Sequence, residues 1–167
     1  QLEPGTSMGG ARPKATIEEG NRLWIGKFPE RADRCNLQRV EYATLELARR
    51  CGIAVCNAAL RPVAEHEVLM VERFDRAYSE GGYLRFGIVS ALTVLDCDDN
   101  YLERERWSYP LFADQLRRWS ELPNEDRSEL FRRMVFNAAV TNNDDHPRNH
   151  ALRRTARGWR LAPAYDL

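Results

Sequence analysis

Eight successive polar or proline positions, Asn142-Asn143-Asp144-Asp145-His146-Pro147-Arg148-Asn149, interrupt this chain between an apolar helical pattern and a short hairpin. Each of these groups needs a hydrogen-bond partner if buried, so the segment belongs at an element boundary, on a surface or around a ligand. Ahead of it, Leu130, Phe131, Met134, Val135, Ala138 and Ala139 recur at helical spacing. Asn124-Glu125-Asp126 opens that helix behind Leu122-Pro123. The pattern predicts Phe131 and Met134 in a core and tight packing at the small Ala138 and Ala139. Behind the polar run, Ala151-Leu152 and Trp159-Arg160-Leu161 read as two strands around Arg157-Gly158. A hairpin this short returns the chain to its start, so Asn149 and Tyr165-Asp166 are expected to be neighbours.

Composition narrows the function classes. The 167 residues carry 25 basic and 25 acidic side chains. Net charge is therefore zero, and neither DNA nor anionic lipid is expected to bind by bulk attraction. The arginine pairs 117-118, 132-133 and 153-154 read as solvated faces. Cys35, Cys51, Cys56 and Cys97 show no CxxC pairing and predict reduced, mostly buried thiols in a cytoplasmic protein. Cys51 and Cys56 would be half of a zinc site, with no second pair to complete it. No secretory signal and no membrane-spanning apolar run is present. The chain starts at Gln1 and stops just past Asp166, which reads as an internal piece of a longer polypeptide.

From the N-terminus, Gly9 and Gly10 lead into Ala11-Arg12-Pro13-Lys14. Glycines let backbone amides approach a phosphate, and Arg12 or Lys14 would add charge. No Gly-Lys-Ser/Thr follows, so this is not a Walker A loop; an ordinary turn or frayed terminus is the plainer account. Residues 15–17 and 23–28 predict a hairpin around Glu19-Gly20-Asn21, with Lys27 near its end. Residues 36–50 predict a helix capped by Asn36 and ended at Gly52. Its apolar stripe reads as Leu37, Val40, Thr44, Leu47, Ala48 and Cys51. Glu41 is either a surface carboxylate or a partner for Lys27, the strand-lysine to helix-glutamate pair of a kinase-like nucleotide lobe.

Residues 53–55, 58–63 and 67–73 predict strands, the last two joined near Ala64-Glu65-His66, with Val68 to Val71 buried on both faces. The abrupt change at Glu72-Arg73-Phe74-Asp75-Arg76 marks a boundary, dividing residues 1–74 from 75–167. Residues 78–82 read as a loop, 86–95 as a helix or buried segment, and 96–106 as a flexible connection. Residues 109–120 predict a helix with the stripe Leu111, Phe112, Leu116 and Trp119.

Asp144 followed five residues later by Asn149 has the spacing with which protein kinases place a catalytic carboxylate and a metal-binding amide. Asp166, past the hairpin, would be the second metal ligand. Phosphoryl transfer from ATP needs positioning, charge neutralisation and a carboxylate facing the acceptor hydroxyl. The oxygens of Asn149 and Asp166 suit Mg²⁺. Three other readings fit the same residues. One is a polar helix end in which Asn142, Asn143 and Asp145 satisfy backbone donors. Another is a metal-dependent hydrolase using Asp144, Asp145, His146 and His150. The third is an interaction module with a degenerate nucleotide site.

Taken together, several stretches resemble the HipA-type serine/threonine kinases, the toxins of bacterial toxin–antitoxin pairs. They are Ser7-Met8-Gly9-Gly10-Ala11-Arg12-Pro13-Lys14, Lys27-Phe28-Pro29, Glu41, Val71-Glu72-Arg73-Phe74-Asp75-Arg76, Asp144-Asp145-His146-Pro147-Arg148-Asn149 and Leu161-Ala162-Pro163-Ala164-Tyr165-Asp166. The resemblance implies an α+β, kinase-like two-lobe fold. A small antiparallel sheet with one helix would be followed by a mostly helical lobe carrying the catalytic β-hairpin, truncated at its C-terminal end. It implies a phosphate-covering loop from Gly9 through Lys14, Lys27 on the phosphates and paired with Glu41, and an adenine hinge at Glu72, Arg73 and Phe74. Asp144 would be the catalytic base, with His146, Pro147, Arg148 and Tyr165 around the nucleotide and Asn149 and Asp166 on magnesium. Ser7 matches a position of autophosphorylation. ATP and Mg²⁺ are the implied cofactors. The implied partners are a protein substrate and a DNA-binding antitoxin.

Overall fold

The computed structural model describes residues 12–98 and 100–167, without the side chains of Tyr101 and Glu103. The chain divides into two compact units: residues up to Arg50 with Val55–Arg85, and Cys51–Ala54 with Phe86–Leu167.

In the first unit, β1 (Lys14–Glu19) and β2 (Arg22–Lys27) form the expected hairpin. Gly20 takes the left-handed conformation (φ 60°) that its tight turn requires. With β3 (Ala58–Val63) and β4 (His66–Glu72) they make an antiparallel sheet in the order β1-β2-β4-β3. β4 is central, and Val68, Leu69, Met70 and Val71 are all buried. Trp24, Val68 and Met70 pack with Ile17, Phe28 and Ala59 on one face. Strand alternation sends Lys27 and its cross-strand neighbour Leu69 to the other face.

α1 (Leu37–Arg50) contacts β3 and β4, and Asn36 Oδ1 accepts the Arg39 amide at 2.9 Å as its cap. The expected stripe matches the buried face only in part, at Ala48. Gln38, Leu45 and Ala48 are buried, whereas Val40 and Leu47 are exposed. The helix turns toward the sheet the side that carries Glu41, which meets Lys27. Residues 78–82 are not a loop: β5 (Arg76–Ser79) and β6 (Gly82–Arg85) pair as a hairpin, with Tyr78 and Tyr83 edge to face at 5.4 Å. His66 begins β4 rather than lying in the turn.

In the second unit, β7 (Ile88–Ser90), β8 (Ala151–Arg154) and β9 (Trp159–Leu161) form a sheet in that order. α2 (Ala91–Val94), α3 (Tyr109–Trp119) and α4 (Pro123–Ala139) accompany it. The core joins Ala91, Val94, Leu95, Phe112, Leu116, Leu130 and Leu152. Residues 53–55 form no strand; instead Ala54 O accepts the Ala164 amide at 2.8 Å. Part of the expected flexible connection is a 3-10 turn, Tyr101–Arg106, capped by Asn100. On α3, Phe112 and Leu116 are buried as expected, while Leu111 and Trp119 are exposed.

α4 departs most from its pattern. Phe131 is 61 % and Val135 49 % exposed, Ala138 and Ala139 are exposed, and Met134 is half-buried. The buried positions include Asp126, Leu130, Arg133 and Asn137, one helical face that is polar at three of these four places. Each polar group has fixed partners. Asp126 accepts from Ser120 Oγ (2.6 Å), Leu161 N (2.9 Å) and Arg160 Nε. Arg133 Nη2 donates to Ala162 O at 2.8 Å, and its Nε to Glu129 at 3.1 Å. Asn137 Nδ2 donates to Tyr109 Oη at 3.3 Å. The thiols also differ from expectation. None of the four is in a disulfide, but Cys35 and Cys51 are exposed, because neither lies on a buried face.

Candidate active site

The sequence-predicted residues fall into two groups, one in each unit. In the first unit, Lys14 and Lys27 are directly opposed in the β1–β2 register. Like charges so placed repel. Glu41 answers Lys27, with Nζ and Oε1 2.5 Å apart and both side chains mostly shielded. Arg12 meets Asp33 through two bonds, at 2.9 and 3.0 Å. That contact raises the guanidinium pKa and holds the Asp33 carboxyl below the usual carboxylate range. Pro13 O accepts the Phe28 amide at 3.1 Å.

At residues 72–74, the Glu72 amide donates to Asn57 O and the Arg73 amide to Leu23 O, both at 2.8 Å. Arg73 grips Asp75 at 2.9 and 2.7 Å, and Arg76 shares the same carboxylate. Burial pushes the Asp75 carboxyl up, but the two arginines outweigh it and hold it low. Ser7, Gly9, Gly10 and Ala11 lie outside the described residues.

In the second unit, α4 ends in a left-handed turn. Thr141 has φ 59°, and the Asn142 amide reaches back to Asn137 O at 2.9 Å. The following loop folds on itself. Asn142 Oδ1 accepts the Asp144 amide at 3.1 Å, and Asn149 Nδ2 donates to Asp144 O at 2.8 Å. His146 Nδ1 accepts the Arg148 amide at 3.1 Å, capping the 3-10 turn Pro147–Asn149. The hairpin of β8 and β9 then returns, and Tyr165 Oη donates to Arg148 O at 2.9 Å. The next residue, Asp166, sits at φ 52°. Non-glycine residues in that region are costly and concentrate at functional sites.

The two adjacent carboxylates differ in environment. Asp144 is exposed. Asp145 is engaged at both oxygens: Tyr109 Oη donates to Oδ2 at 2.6 Å, and His150 Nε2 lies 3.1 Å from Oδ1. His150 Nδ1 is buried without a partner among the described residues. An orphaned acceptor there costs less than an orphaned N–H, so Nε2 carries the proton toward Asp145. Burial raises the Asp145 pKa, but the bonds from His150 and Tyr109 outweigh it and the carboxyl titrates low. Burial first, then Asp145, drives the Tyr109 phenol well above its ordinary value. Among the described residues no three His, Cys, Asp or Glu side chains are grouped to hold a metal. The set Asp144, Asp145, His146 and His150 is therefore not a metal cluster, because Asp145 and His150 bind each other.

A model of the HipA-like C-terminal domain family matches residues 6–167. The chain belongs to the HipA-like C-terminal domain family. A curated Sinorhizobium fredii relative of this HipA-like chain, named "Putative kinase Y4mE", is 27 % identical over 147 residues, covering 86 % of the chain and 33 % of that protein. Shewanella oneidensis HipA, solved with HipB and operator DNA, superposes with a TM-score of 0.74 at 24 % identity. That match covers all of this chain and 44 % of HipA. The Helicobacter pylori proinflammatory kinase CtkA gives a TM-score of 0.74 at 19 % identity, over 99 % of this chain and 57 % of CtkA. The HipA-like chain thus spans about a third of the curated relative and about half of each solved one. Its α+β fold is the kinase-like fold expected from the sequence.

Sequence reasoning missed Asp33, Tyr109, Asn137, Arg133 and the structural use of Asp145. Arg12 finds Asp33 at a separation of 21 residues, and Tyr109 finds Asp145 at 36, so no local pattern announces them. Glu129 four residues before Arg133 was the one local signal.

Proposed function

We propose that this chain is part of an ATP- and Mg²⁺-dependent kinase that phosphorylates serine or threonine hydroxyls of a protein. Nucleotide contacts come from residues 1–74, and the catalytic loop and metal-binding hairpin from residues 75–167. The observation that most supports this reading is the bond from Tyr165 Oη to Arg148 O at 2.9 Å. It ties the residue before Asp166, past β9, to the loop that carries Asp144 and Asn149. The bond from Asn149 Nδ2 to Asp144 O closes the same loop.

In this reading the exposed Asp144 orients the acceptor hydroxyl and takes its proton. Lys27, steadied by Glu41, faces the phosphates with Lys14 beside it. His146, Pro147, Arg148 and Tyr165 frame the nucleotide, and Glu72, Arg73 and Phe74 hold the adenine. Asn149 and Asp166 form a hard-oxygen donor set of the kind Mg²⁺ prefers. Bound Mg²⁺ would offset phosphate charge. Ser7 is the proposed self-modification position.

HipA of S. oneidensis was solved with HipB and DNA, and the whole protein to which this chain belongs is proposed to have a DNA-binding antitoxin partner. The chain's zero net charge argues against direct nucleic-acid binding of its own. No helix among the described residues is long and apolar enough to cross a membrane. A cytoplasmic location is part of the proposal.

The test is calorimetric titration with Mg-ATP together with turnover on protein substrate, using the full natural polypeptide carrying this sequence. Asp166→Ala is expected to abolish Mg²⁺-dependent nucleotide binding. Asp144→Ala is expected to lower kcat by about 10²–10⁴-fold with ATP affinity little changed. Near-normal turnover of Asp144→Ala removes that residue from its role.

A further inference from the structure

We propose that Asp33 is a positioning residue for the nucleotide: through Arg12 it fixes where residues 12 and 13, just ahead of β1, lie relative to the Lys27–Glu41 pair. This inference rests on the ATP-dependent reading above. Asp33 lies in the connection between β2 and α1, and its side chain is only 9 % exposed. Its two oxygens receive the two terminal nitrogens of Arg12. Oδ2 also accepts the Glu30 amide at 3.0 Å, and the Asp33 amide donates to Glu30 O at 3.1 Å. The carboxylate is therefore aimed by its own turn, independently of Arg12. A fork-to-fork pair fixes direction as well as distance.

A second tie acts on the next residue: the amide of Phe28, which follows Lys27, holds Pro13 O. Residues 12 and 13 are thus clamped from two sides at the sheet end that carries Lys14 and Lys27, where Glu41 of α1 meets Lys27. The charge of Glu41 reaches Arg12 as well. Arg12 is answered by Asp33, and Lys27 meets Glu41. Arg12 gives its guanidinium to Asp33, so its contribution to phosphate binding is the placement of its own backbone and of Lys14.

The full natural polypeptide is titrated with Mg-ATP, and turnover is measured at saturating ATP. Asp33→Asn keeps the shape and removes the charge. It is expected to weaken Mg-ATP binding about ten-fold and raise KM in parallel. At saturation kcat should change by less than about three-fold. Arg12→Lys keeps the charge without the fork and is expected to behave the same way. The exchange of Arg12→Asp with Asp33→Arg re-forms the pair in reverse and is expected to recover most of the lost affinity, as simple misfolding would not. Unchanged or tighter binding by Asp33→Asn overturns the inference, since Asp33 would then be idle or compete with the phosphates. Failure of the exchange to restore binding overturns it too. If the parent protein does not bind Mg-ATP at all, the kinase reading fails and this inference falls with it.

Discussion

Asp144 and Asp145 are neighbours in sequence but not in environment: Asp144 is exposed and Asp145 is partly buried. Asp145 is partly withdrawn from water and bonded to Tyr109 and His150, so it serves as a strut between the loop and α3. Its depressed pKa sets the sign of a pH effect. The strut's contribution is fully present above the ordinary carboxylate range, near 4, and is lost as pH falls through the lower folded value. The raised Tyr109 pKa works at the other end. That contribution is intact below about 10 and disappears as pH climbs toward the folded value. Asp145→Asn is expected to cost about 1–3 kcal/mol at neutral pH. It should also flatten the acid side of the stability profile, measured by urea unfolding from pH 3 to 7. An unaltered acid slope would mean that Asp145 carries no such linkage. The spacing to Asn149 singles out Asp144 in the sequence, but the structural use of Asp145 is not legible there, because its partner Tyr109 lies 36 residues away.

Among the elements, α1 and α4 were legible as helices and illegible in orientation. Period and caps announce a helix; they do not say which face is wanted. On α4 the buried residues are Asp126, Leu130, Arg133, Phe136 and Asn137, and the apolar pattern shares only Leu130 with them. Burying those groups is tolerable only because Arg160, Ala162 and Tyr109 meet them, and these partners come from other elements. The pairing of Lys27 with Glu41 was legible as one of two readings of Glu41, and the structure shows that contact. The C-terminal end of α4 holds a local conflict, since Thr141 is β-branched yet sits at φ 59°. A left-handed conformation penalises such a side chain, and glycine escapes the penalty. Thr141→Gly is expected to raise stability by about 1 kcal/mol in chemical denaturation. A loss of stability instead would show that the threonine side chain makes up for its strain.

At the scale of the whole chain, each unit carries apolar surface on a helix. Val40 and Leu47 are exposed on α1, and Phe131 and Val135 on α4. Contiguous surface of this kind drives association. The 167-residue chain alone is expected to self-associate with rising concentration, and Phe131→Lys with Val135→Lys is expected to shift it toward monomer in sedimentation velocity. Identical sedimentation of parent and variant would exclude the α4 face as the cause. The other side of α4 has a different consequence. Two greasy ridges can ratchet past each other by one helical turn at modest cost. A row of carboxylate, guanidinium and amide, each held by directional bonds to partners on other segments, offers no second register. The loop anchored through Asn137 and the strand anchored through Arg133 are therefore gauged from one ruler, and any tremor of that helix carries both in step.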